Sequence, residues 1–362
     1  MRKGVATLPL HWGTAPRWLF DRMTRMARAV GEIIVAEYGP DELLRRLSDP
    51  VWFQAFGCVA GFDWHSSGVT TTVCGAFKEG LSGLERDTGV FVCGGKGRAS
   101  RRTPDELRVQ ANAFGLDGES LVRLSRLTAK VDSAGLQDGF QIYHHVFFGT
   151  TRGQWAVVQQ GMNTESKQAR RYHWLGEKAV DPVSDPHEGV ACDVRTEPLN
   201  MVAGEAVSAR QAVAELARLE PESVVRELER VRKLAMPAKH PVGLGDCRPE
   251  YLRKVLTTTY ETPPADFTEL LLSPGVGAKT VRALALVAEV TYGAELSFRD
   301  PVTYSFAVGG KDGWPYPVNR GAYDRVLSTL ERAIRAAKLG NSEQLGALKR
   351  LESWSRETAG QS

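Results

Sequence analysis

The sequence has little cysteine and no pattern in it. Cys58, Cys74, Cys93, Cys192 and Cys247 are scattered without any Cys-x-x-Cys spacing. That argues against a zinc ribbon and a disulfide framework, and it suits a reducing compartment. No apolar run reaches the roughly 18 residues that a membrane-spanning helix needs. Met1-Arg-Lys opens a segment with no apolar stretch of secretory length, so a cytoplasmic protein without a membrane partner is expected. Excess charge of one sign is scarce too: the net charge is only +3, so any face for an anionic partner has to be local. Gly94-Gly-Lys-Gly97 lacks the Gly-Lys-Ser/Thr ending of a nucleotide-binding P-loop, and no nucleotide cofactor is predicted.

What is present is the composition of a folded chain, 42% hydrophobic and 25% charged over 362 residues. That length suits two cores, and an α+β architecture is expected: a mixed α/β domain over 1–205, then an all-α domain over 206–362. Leu19, Met23, Met26, Val30 and Ile33 recur at helical spacing, and Gly39-Pro40 and Asp49-Pro50 punctuate the helices that follow. Val69 to Leu81 mixes β-branched residues with an apolar helical face and is read as a helix capped by Ser66 or Ser67. Val90-Phe-Val-Cys93 reads as a strand. Thr103-Pro-Asp-Glu106 reads as a capping box that opens the next helix. Phe140 to Phe148, a Gly149–Gly153 turn and Trp155 to Gln160 form a β-hairpin. Pro/Asp-rich sequence from Asp181 to Pro198 is an irregular connection, and helices resume from Ser208.

Polar chemistry concentrates at four places in the first part. Gly61-Phe-Asp-Trp-His-Ser-Ser-Gly68 carries Asp63 and His65 between glycines. The loop after Val90–Cys93 brings Lys96, Arg98, Arg101 and Arg102 together, a candidate phosphate contact or a solvated loop. In the hairpin, period-2 alternation groups His144 with Phe140, Ile142, Val146 and Phe148, and His145 with Gln141, Tyr143 and Phe147. His144 is therefore read as a core histidine and His145 as the better candidate for chemistry. Lys167-Gln-Ala-Arg-Arg-Tyr-His-Trp174 interleaves cations with rings. Arg170 and Arg171 could hold phosphates there while the rings stack on bases, or the stretch could be an amphipathic helix with buried aromatics.

Glu269-Leu-Leu-Leu-Ser-Pro-Gly-Val-Gly-Ala-Lys-Thr-Val-Arg-Ala-Leu284 is the most specific stretch. It resembles a helix-hairpin-helix over about 266–290. Gly275 and Gly277 permit a tight turn and close backbone approach, Val276 plugs between two helices, and Lys279 and Thr280 lie in the first turn of the second. Such a turn presents backbone N–H groups to a phosphate, which points to DNA, or RNA, as the partner.

Thr7-Leu-Pro-Leu, Ala15-Pro-Arg-Trp-Leu-Phe, Gly61-Phe-Asp-Trp-His-Ser-Ser-Gly, Val158-Gln-Gln-Gly-Met-Asn and Arg299-Asp-Pro-Val-Thr-Tyr-Ser-Phe resemble the prokaryotic domain family of unknown function numbered 763. The resemblance runs from Arg2 to about Leu330. It implies a prokaryotic intracellular protein whose N-terminal domain is not shared with familiar enzymes. In the family a His often stands where this chain has Val308.

Three functions fit these residues. The first is a DNA-processing nuclease, in which the hairpin holds the backbone and Asp63, His65, Asp138, His145 and His173 bind a divalent metal, Mg or Mn, or shuttle protons at the phosphodiester. The hairpin with His145 is faintly similar to the histidine motif of phospholipase D-type nucleases, but Phe147 stands where that motif has Lys. The second is a helix-hairpin-helix glycosylase or lyase, which the resemblance implies would use Lys279 as nucleophile and Asp300 as its assistant. The third is a non-catalytic binder of DNA or RNA structure.

Overall fold

The computed structural model describes residues 17–60, 68–234 and 247–304, together with short helical pieces between 328 and 352. Four helices open the described chain: α1 (Arg17–Tyr38), α2 (Pro40–Ser48), α3 (Pro50–Val59) and α4 (Gly68–Leu81). Asp49 separates α2 from α3 and caps the latter, accepting from the Val51 and Trp52 amides. The ambiguous Val69–Leu81 stretch is helical as expected; its Ser66 or Ser67 cap lies outside the described residues.

A short α5 (Glu85–Thr88) leads into β1 (Val90–Lys96), a single turn α6 (Arg98–Arg101), α7 (Thr103–Phe114) and α8 (Gly118–Lys130). The capping box does not form. α7 begins at Thr103 itself, whose hydroxyl bonds to the Ser100 carbonyl. Glu106 instead accepts from the Gly94 amide and from Lys78, whose Nζ also reaches the Gly94 carbonyl. A carboxylate and an ammonium thus satisfy an edge residue of β1, which removes part of an unpaired sheet edge.

Strand β2 (Leu136–Gln137) pairs with the distant β7 (Leu199–Asn200). Between them lie β3 (Gln141–Thr150), β4 (Trp155–Asn163), β5 (Gln168–Leu175) and the three-residue β6 (Gly189–Ala191). The antiparallel sheet runs β1-β3-β4-β5-β6. The basic, aromatic stretch is therefore an inner strand from Gln168 onward, with Lys167 in the turn before it, and not a helix. A register shift between Ile142 and His144 corrects the expected alternation. Phe140 and Ile142 pack on the same face as Phe147, whereas Val146 and Phe148 face the other way.

After the sheet come α9 (Val207–Leu216), α10 (Pro221–Lys233), α11 (Pro249–Glu261), α12 (Phe267–Leu272) and α13 (Ala278–Tyr292). Each face of the sheet has its own apolar core. Helices α1–α4 contribute Val30, Leu47, Trp52, Phe56, Val73 and Phe77 against Val146, Phe148, Ala156 and Val158. On the other face, Phe147, Val157 and Trp174 join a cluster that continues through α7 and α8 into α9–α13. Side chains from both sides of residue 205 share that second core.

Candidate nucleic-acid interface and buried polar networks

Helix α12 is capped by Asp266, which accepts from the Glu269 amide, and it ends at Ser273. The chain then turns through Gly275 at φ +79, a backbone conformation suited to glycine, and enters α13 with Gly277 as N-cap. Val276, 1% exposed, joins the apolar core under the turn. No side chain caps α13. A Cβ built on Gly277 would meet nothing within 4 Å, so bare backbone faces open space at the helix start.

The turn is braced by three side chains. Lys130 of α8 donates to the Val276 carbonyl, the Gln137 amide donates to the Ala278 carbonyl at 2.9 Å, and Tyr251 of α11 donates its hydroxyl to the Gly275 carbonyl at 2.9 Å. Burial pushes the Lys130 pKa down. In front of α13 lies a cavity of about 610 Å³ lined by Arg248, Tyr251, Gly277, Ala278, Lys279 and Thr280. Lys279 and Arg248 are exposed there.

The expected catalytic residues are placed quite differently. His145 is buried; its Nδ1 bonds to Gln159 Oε1 and its Nε2 to Ser125 Oγ, each at 2.8 Å. The Gln159 amide nitrogen donates to the Thr128 carbonyl and to Asp132, so its oxygen is the acceptor from Nδ1–H, and Nε2 of the neutral ring can accept from the Ser125 hydroxyl. Burial pulls its pKa down in the same direction. Asp132, in a single π-turn at Val131–Gly135, also accepts from Trp174 Nε1 at 2.9 Å and from His187 Nε2 at 2.5 Å. Sequence reading missed Ser125, Asp132, Gln159 and His187, because they come from separate elements and only folding joins them.

Asp138 accepts from Arg170, Tyr172 and the Phe140 amide, and Arg170 reaches on to Asp300. Burial pushes the Asp138 carboxyl up. Desolvation pulls the Arg170 guanidinium down, but its carboxylate partners outweigh that pull and hold it above its usual range. The pair is ionised here: the donors around Asp138 all favour the carboxylate. Arg171 donates to His173 Nε2 at 2.7 Å and to Gln54 at 3.0 Å, while His173 Nδ1 donates to the Leu47 carbonyl at 3.1 Å. That pattern fixes a neutral His173, whose pKa burial holds well below its usual value. Arg170 and Arg171 are both buried, so in place of phosphate contacts they tie β5 to its neighbours. His144, also buried, has no hydrogen-bond partner at either ring nitrogen.

Lys96 and Arg98 are exposed beside Gly97, and Lys96 lies over the Tyr143 ring. Asp63 and His65 lie outside the described residues, as does Val308. Among the described residues no group of three or more His, Cys, Asp or Glu is arranged to hold a metal ion. Nor is any described helix long and apolar enough to cross a membrane.

These features define a mixed α/β protein built on an antiparallel sheet with helices on both faces. The chain belongs to the family described as protein of unknown function (DUF763), whose model matches residues 4–318. Comparison with curated proteins and with solved structures finds no match.

Proposed function

We propose that this protein binds DNA or RNA by its phosphate backbone, through a helix-hairpin-helix made of α12, the Ser273–Gly277 turn and α13. The observation that carries this reading is the uncapped start of α13, with bare Gly277 backbone opening on a cavity flanked by Lys279 and Arg248. Backbone N–H groups at a helix start and nearby cations suit a phosphate oxygen on both hydrogen-bonding and electrostatic grounds. In this reading residues 206–362 hold the strand inside a cytoplasmic protein.

Cleavage of the held strand, with Mg or Mn, is the extension that the family motif around Asp63 and His65 leaves open. The buried donors are poorly suited to such cleavage. His145 and His173 have both ring nitrogens engaged, and Asp138 is bound to Arg170 and Tyr172. The lyase alternative has less support, since the Asp300 carboxylate accepts from Arg170 and Thr196. Binding without chemistry is the form the described geometry favours.

Incubation with labelled single-stranded, duplex, uracil-containing and abasic DNA, and with RNA, in Mg²⁺, Mn²⁺ or EDTA tests the reading. Retention of label without products supports a binder. Metal-dependent cuts would add the nuclease, and borohydride-trapped abasic DNA lost in Lys279→Gln would add the lyase. Failure to retain any of these substrates contradicts the reading itself.

A further inference from the structure

The cavity in front of α13 is larger than one phosphate requires and lies within the ~300–1,000 Å³ range of sites that enclose a whole small ligand. Two of its residues are unexplained by backbone binding alone. Thr280, 1% exposed, is one of the residues that line the cavity, and its buried hydroxyl has no hydrogen-bond partner. A buried hydroxyl without a partner is costly, and a ligand acceptor at this position would remove that cost. Tyr251 is 46% exposed, beside the buried Leu252 and Val255 of the same helix. Its hydroxyl is held by the Gly275 carbonyl, so the ring is tethered beside the turn and forms a wall of the same cavity. A fixed, half-exposed ring next to a phosphate-binding turn has the chemistry of a base-stacking platform.

We infer that the cavity takes one nucleotide of a single strand or a strand end: the phosphate on the α13 amides and the Thr280 hydroxyl, its unpaired base against the Tyr251 ring, and Arg248 and Lys279 at the rim. This rests on the backbone-binding reading and adds to it a preference for unpaired over duplex nucleic acid. In a duplex the base is stacked between its neighbours and does not reach Tyr251, so only the phosphate half of the site is used. DNA and RNA share the required chemistry, and parallel strands of each distinguish them.

The test measures affinity of the full chain for a short single strand, the matching duplex, and the same single strand carrying an abasic position, in DNA and RNA versions. Wild type should bind the intact single strand more tightly than the duplex or the abasic strand. Tyr251→Ala should bind the intact strand about tenfold or more weakly than Tyr251→Phe, as expected for one base stack, while the two variants bind the duplex alike. Tyr251→Phe keeps the ring and loses the same hydroxyl bond to Gly275, so the difference between the two variants reports the ring; unfolding midpoints of both establish that they are folded. Equal binding of single strand and duplex, a silent Tyr251→Ala, or a Tyr251→Phe as weak as Tyr251→Ala overturns the stacking site while leaving backbone binding in place. Failure of wild type to bind any of the strands overturns both.

Discussion

Arg170 and Asp300 stand 130 residues apart in sequence and 2.8 Å apart in space. The contact closes the chain on itself. Arg170 sits in β5, Asp300 follows the last described long helix, and the same guanidinium bonds to Asp138 at 3.0 Å. The segment around Asp300 then runs to Tyr304, which bridges in parallel to Ala191 of β6.

Removing Arg170 should therefore unfold more than it unbinds. Both partner carboxylates are buried, and Arg170→Met leaves them uncompensated, a loss on the order of 3–5 kcal/mol. Urea unfolding should show that loss. Asp300→Asn, which keeps an acceptor, should cost less. If Arg170→Met unfolds like wild type, the buried ion pair is not the tie described here.

Acid should weaken the fold through its buried histidines. His144, His145 and His173 all have pKa values lowered by burial, His144 to about 3. The unfolded chain binds protons near a pKa of about 6.5 while the folded chain resists them. Stability from these groups is thus present in full above about pH 6.5 and declines as pH falls towards 3. Since neither His144 nitrogen has a partner, His144→Leu should flatten the acid limb between about pH 6 and 4 without loss at pH 7.5. Unfolding free energy measured across that range checks it; an unchanged acid limb would count against His144 as a contributor.

Gly94 should resist any side chain. It lies at φ +99, and an added Cβ would come 2.3 Å from the His145 carbonyl oxygen and 2.7 Å from Thr103 Oγ1. Gly94→Ala must strain the backbone and push β1 off β3, a loss of at least about 1 kcal/mol. Gly97→Ala is the control, because it meets no atom within 4 Å and shows only the cost of its own φ of +60. A thermal melt that ranks Gly97→Ala below Gly94→Ala would contradict the close approach.

Local signals carry much of this fold. The hairpin of β3 and β4 is legible from alternation and its glycine turn, and the helix of 69–81 from its apolar face, because neighbours in sequence decide both. The turn of Ser273–Gly277 is visible for the same reason: its glycines and flanking Leu/Ala runs are local. What local pattern does not supply is the fate of polar side chains. Arg170, Arg171 and His173 look like a surface stretch until β4 and β6 flank them, and Glu106 looks like a cap until the β1 edge takes it. Asp132 and His187 give no signal at all, since their link depends on a π-turn and an irregular segment meeting over Trp174 on one face of the sheet.

That the α12–α13 turn holds nucleic acid by its phosphates is tested most directly by the salt dependence of binding. Affinity of the full chain, measured from about 50 to 200 mM salt, should fall steeply, by about 0.9 log units per contact per log unit of salt on duplex DNA and about 0.7 on a single strand. Lys279→Gln should weaken binding and make that slope shallower by about one contact. A flat salt response, or a slope that Lys279→Gln leaves unchanged, would contradict phosphate binding at this turn.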